Sequence, residues 1–124
     1  MANPELVFKL GLEGGGAAVF RTPLASGEFT FHAELTSFCI DDDDNEEWRE
    51  TATPQYTTIS AALKAIDSDG LWILFRPTMI HPEYRAALWQ IVQDIVPTLQ
   101  EECIDRWTHQ RDRWRERCLP DSQP

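Results

Sequence analysis

Basic residues are scarce in this sequence. Over 124 residues, Lys and Arg total 11 against 21 Asp and Glu, a formal charge of -10. Nucleic-acid backbones and anionic membranes are bound by basic faces, so a chain with this balance is expected to bind neither. Long apolar runs are missing as well. No stretch approaches the roughly 20 residues needed to cross a bilayer, and the opening Met1-Ala-Asn-Pro-Glu5 lacks the basic and apolar regions of a secretion signal. Cysteine is sparse: Cys39, Cys103 and Cys118 are an odd set with no CxxC pair. Free thiols in a reducing, cytoplasmic setting are therefore the expectation.

The signatures of catalysis are also missing. Gly14, Gly15 and Gly16 are followed by Ala17-Ala-Val-Phe20, where a phosphate loop needs Lys and Ser or Thr at the start of a helix. His32, His81 and His109 show no HxxxH or HExxH spacing, and no cysteine groups with them. There is no Gly-x-Ser-x-Gly elbow. Asp41, Asp43 and Asn45 match the first three ligand positions of a calcium loop, but Glu46 stands where Gly is required and Ala52 where a bidentate Glu is required. No catalytic residue, metal site or cofactor is expected.

What the chain does have is apolar and aromatic material for one core. Its hydrophobic fraction is 42%, with five Trp and six Phe, and a chain of this length buries roughly two thirds of its unfolded surface. One domain over residues 1–118 is expected, with 119–124 as a frayed tail. Leu6, Phe8, Leu10 and Leu12 alternate, predicting a strand over 5–12. The glycine run predicts a hairpin into a second strand at 17–21. Residues 28–36 alternate most cleanly, with Phe29, Phe31, Ala33 and Leu35 on one face and Thr30, His32 and Glu34 on the other. Thr57 or Thr58 caps a helix carrying Ile59, Ala62, Leu63 and Ile66. The apolar run at 71–75 reads as a strand buried on both faces, central in the sheet. His81-Pro82-Glu83 opens a helix whose inner stripe is Tyr84, Leu88, Ile91, Val92 and Ile95. A last helix, about 98–118, carries Leu99, Cys103, Ile104, Trp107, Trp114 and Cys118, interrupted by Arg111. The order β-β-β-α-β-α-α predicts an α+β fold, an antiparallel sheet of about four strands with helices packed on one face.

Two segments are candidates for function. Residues 41–50 hold seven acids and one base around Trp48. Like charge this dense resists compaction, which predicts an exposed loop. Asp41, Asp42, Asp43, Asp44, Glu46, Glu47 and Trp48 would meet a basic protein partner, with Trp48 as anchor unless it folds back into the core. The last helix either docks its stripe on the chain's own sheet or pairs with a second copy through Trp107, Arg111 and Trp114. Its acids, Glu101, Glu102, Asp105, Asp112 and Glu116, are spaced to pair with its arginines.

The run Leu10-Gly-Leu-Glu-Gly-Gly-Gly16, the acidic segment with Trp48 and the opening Ile80-His-Pro-Glu-Tyr84 look like small bacterial proteins. In size, acidity and α+β pattern the whole chain is similar to the immunity proteins of bacterial polymorphic-toxin systems. That resemblance implies a non-catalytic inhibitor that binds a basic protein, and it carries no individual residue over. Two alternatives stand beside it: an acidic DNA mimic that occupies a nucleic-acid-binding protein, and a small enzyme or metal protein. The first requires carboxylates spaced like phosphates over an extended face. The second requires a pocket joining His32, His81 or Cys39 to a carboxylate.

Overall fold

A computed structural model describes residues 3–12, 15–40, 42–66 and 71–119. The alternation seen in the sequence becomes an antiparallel sheet: β1 (Glu5–Leu12), β2 (Gly15–Pro23), β3 (Phe29–Ile40), β4 (Glu46–Ala52) and β5 (Arg76–Ile80), in the order β4-β3-β2-β1-β5. Three helices follow or interrupt it: α1 (Ile59–Ile66), α2 (Arg85–Ile95) and α3 (Glu101–Cys118). The fold is α+β, with five strands. Helix α1 packs on β2 and β3, and α3 packs on β5 and α2. Among the described residues no helix is long and apolar enough to cross a membrane.

The register explains the core. Phe8 lies opposite Val19, which lies opposite Ala33, and Leu10, Ala17 and Leu35 form the next row. Phe8, Val19, Ala33, Leu10 and Ala17 are all buried under the helices. Simple alternation in β1 fails at one point. The register shifts between Leu6 and Phe8, so Val7 and Phe8 are both fully buried while Leu6 is half-buried. A bulge places two consecutive side chains where alternation allows one. The side chain of Leu12 lies outside the described residues.

Two expectations about the strands are corrected. Residues 46–52, expected within and just after a loop, form the edge strand β4, because β3 runs twelve residues and offers its outer edge to Glu46–Ala52 in unbroken register, from Ile40 opposite Glu46 to Glu34 opposite Ala52. Only the turn before it, around Asp42 and Asp43, is irregular, with Asp44 at φ 61. The apolar run at 71–75 is no central strand. Leu71–Leu74 is a 3-10 turn that buries Trp72 and Ile73 completely. A short apolar run signals burial without fixing the backbone. The strand comes just after it, at the edge of the sheet, where Pro77 is tolerated.

Side chains cap the start of α1 and of the 3-10 turn before α2. Thr58 Oγ1 accepts from the Ala61 N–H at 3.2 Å. His81 Nδ1 accepts from the Glu83 N–H at 3.2 Å and opens the 3-10 turn Pro82–Tyr84 that leads into α2. Pro97 sits in a third 3-10 turn, Val96–Thr98, so α3 begins at Glu101 and not at about residue 98. In the core Trp114 of α3 meets Phe8 and Trp72, with ring centroids 5.7 and 5.6 Å away. Residues 120–124, most of the expected tail, lie outside the described ones.

Cys118 ends α3 and is buried. Burial pushes its thiol from 9.0 up to about 12, against a smaller opposing pull from Arg85. In the unfolded chain this thiol ionises near 9, whereas in the native state it stays neutral until about 12. Its contribution to stability is thus intact below 9 and is lost as pH rises from 9 to 12. The urea midpoint should fall over that window, and fall less steeply in Cys118→Ala. Iodoacetamide at pH 8 should modify the half-buried Cys103 well before Cys118, read by peptide mass spectrometry.

Candidate functional site

Because Ala17, Val19, Ala33 and Leu35 face the helices, the residues alternating with them face the other way. Ala18 lies opposite Glu34, which lies opposite Ala52, and Gly16 lies opposite Thr36, which lies opposite Glu50. These small and polar residues line a partly open hollow of about 570 Å³, bordered by Phe20 and by Lys9. Small side chains leave the sheet surface recessed there, and Glu34 and Glu50 set carboxylates at its margin.

The hollow continues into the acidic edge. Asp42, Asp44, Glu46, Glu47 and Glu50 are exposed, as is Asp43. Glu47 pairs with Arg49 at 3.6 Å, with both side chains about 60% exposed. An ion pair this wet contributes about 0–1 kcal/mol and leaves the local charge strongly negative. Of the predicted contact residues, Asp41 lies outside the described residues. For Trp48 only the backbone is described, opposite Phe38 in the ladder; its side chain lies outside.

Two of the three histidines make contacts within the fold. His32 is buried on the helix-free face. Its ring stacks on Phe20 with centroids 5.3 Å apart, Nδ1 is 3.1 Å from Gln55 Nε2, and Nε2 is 3.5 Å from Glu34. His81 is the helix cap described above. His109 is exposed on α3. The side chain of Cys39 lies outside the described residues. Among the described residues no group of three or more His, Cys, Asp or Glu is placed to hold a metal.

In α3 the structure places Trp107 and Trp114 inside the chain's own core and leaves Arg111 exposed. The Trp114 indole N–H is used internally, donating to the carbonyls of Ile73 and Phe75 at 2.7 and 3.1 Å. Two of the three residues named for self-association therefore offer no ring to a second copy. Among the described residues no acid of α3 pairs with an arginine of α3; ion pairs elsewhere include Arg21 with Glu5 and Glu83, His32 with Glu34, and Arg49 with Glu47.

One cluster escaped the sequence reading. Arg21 is buried on the helix-facing side of β2. Its guanidinium donates to Glu83, to Tyr84 Oη at 3.2 Å and to Glu5 at 3.2 Å, and lies over the Phe29 and Tyr84 rings at 4.4 and 5.4 Å. The Tyr84 hydroxyl first, then the two carboxylates, hold its pKa above the ordinary arginine value. The available signal was phase: Arg21 continues the row of Ala17 and Val19. No family model, curated protein or solved structure matches the chain.

Proposed function

We propose that this chain is a non-catalytic binding protein that engages a basic polypeptide over the helix-free sheet face and its acidic edge strand, in the manner of an immunity protein acting in the bacterial cytoplasm. One observation carries the reading: exposed carboxylates line the edge strand and run, through Glu50 and Glu34, onto the margin of the hollow. A negative field beside a recess speeds encounter with a positive surface and orients it. The partner would set a lysine or arginine against Glu34 and Glu50 and lay a small apolar group over Ala18 and Ala52.

The test uses an extended Lys/Arg-rich peptide titrated into the labelled protein and followed by NMR. Shifts should cluster on Ala18, Glu34, Thr36 and β4. Affinity should fall about tenfold or more between low and high salt, because exposed charge is screened over about 10 Å at 0.1 M. It should fall similarly when Asp42, Asp43 and Asp44 become Asn and Glu46 and Glu50 become Gln. Shifts scattered over the surface, or binding indifferent to those changes, would overturn the reading.

A further inference from the structure

The opposite edge of the sheet has the reverse character. Strand β5 forms that edge and α3 packs against it. Between them lies a second cavity of about 560 Å³, lined in part by Arg76 of β5 and Arg113 of α3, both exposed. Carboxylates outnumber bases almost two to one in this chain, yet among the described residues neither arginine forms an ion pair. Two guanidiniums sharing one groove repel each other until an anion lies between them. No acid among the described residues supplies that anion.

The rest of the groove fits a ligand with one charged end. Gly11 of β1 keeps the space open: a Cβ there would sit 3.4 Å from Thr78 Cγ2 and 3.8 Å from the Arg76 carbonyl oxygen. The Thr78 hydroxyl already donates to the Lys9 carbonyl, so anion recognition falls to the two arginine forks, whose planar geometry matches phosphate oxygens. Gln110 also lines the groove. At one end Leu74 and Phe75 supply apolar wall.

We propose that this groove binds the phosphoryl group of an organic phosphate monoester, with Arg76 and Arg113 clasping the dianion and Leu74 and Phe75 covering the organic part. The site lies at the far edge from β4 and does not depend on the partner-binding reading.

Phenyl phosphate and inorganic phosphate, each titrated calorimetrically at constant ionic strength, test it. Saturable binding is expected, tighter for phenyl phosphate. Arg76→Gln and Arg113→Gln should each weaken it about tenfold, as loss of one charge-assisted pair does. Arg106→Gln, an exposed site on α3 outside the groove, should leave affinity within twofold. Equal affinity for the two ligands would overturn the organic part of the proposal and assign the site to free phosphate. Absence of saturable binding, or binding undiminished in the Arg76→Gln/Arg113→Gln double variant, would overturn the site itself.

Discussion

Trp114→Ala is expected to cost about 3–5 kcal/mol, enough to leave much of the chain unfolded at ambient temperature. The indole is fully buried. It touches three other aromatic rings, those of Phe8, Trp72 and Trp107, and so joins β1, the 3-10 turn Leu71–Leu74 and α3. Its N–H bridges the carbonyls of Ile73 and Phe75, which fixes where that turn gives way to β5. Alanine removes both contributions at once. Trp114→Phe keeps most of the apolar contact but takes the donor from two carbonyls, a loss of about 1–3 kcal/mol beyond the smaller cavity. Trp89, half-buried and 6.4 Å from the Trp107 ring, should tolerate alanine better than Trp114 does. Urea unfolding followed by far-ultraviolet circular dichroism ranks the three. A smaller loss for Trp114→Ala than for Trp89→Ala would refute this account of the core. The variant also bears on function: with α3 loosened from β5, the groove between Arg76 and Arg113 loses one wall.

What was legible in the sequence follows from how local each signal is. The alternation of Phe29, Phe31, Ala33 and Leu35 is written in one strand, and so is the helical spacing of Leu88 and Val92; both survive into the structure with their buried faces as expected. The segment Leu71–Leu74 was misread because a short, unbroken apolar run shows neither a period of two nor of 3.6, and the burial of Trp72 and Ile73 fits a 3-10 turn as well as a strand. Strand β4 was missed for the opposite reason. Its sequence, Glu46 to Ala52, is acidic and weakly strand-forming, and it is extended because β3 is long enough to pair with it. That pairing is a property of two segments and appears in neither alone. The acids themselves were legible as an exposed charged patch. Their arrangement along a strand, beside a recess floored by Ala18 and Ala52, was not. Arg21 was hidden because an arginine in a short strand suggests a solvent face, and only the phase set by Ala17 and Val19 turns it inward.

Arg21 yields the second large effect, and its sign is unusual. The arginine side chain is 8% exposed, while Glu5 and Glu83 are 50% and 62% exposed. Removing the cation frees two carboxylates that water solvates readily. Removing the carboxylates instead strands a buried charge, since a guanidinium stays protonated at any ordinary pH and cannot relieve it by deprotonation. An uncompensated buried charge costs about 3–5 kcal/mol, whereas an apolar replacement of similar shape can be nearly neutral. The Tyr84 hydroxyl and the two ring faces remain, so the lower end of that range is expected for Glu5→Ala/Glu83→Ala. Arg21→Met, which keeps the stem packed over Phe29, should cost about 1 kcal/mol. Adding Arg21→Met to the carboxylate double variant should then restore stability, an interaction energy of opposite sign to that of an ordinary stabilising contact. Urea midpoints of the four proteins measure it. If Arg21→Met proves the more damaging change, the pairing with Glu5 and Glu83 supplies net stability. Under the expected outcome, the clasp chiefly sets position, holding Glu83 against β2 so that the cap at His81 starts α2 at the right place on the sheet.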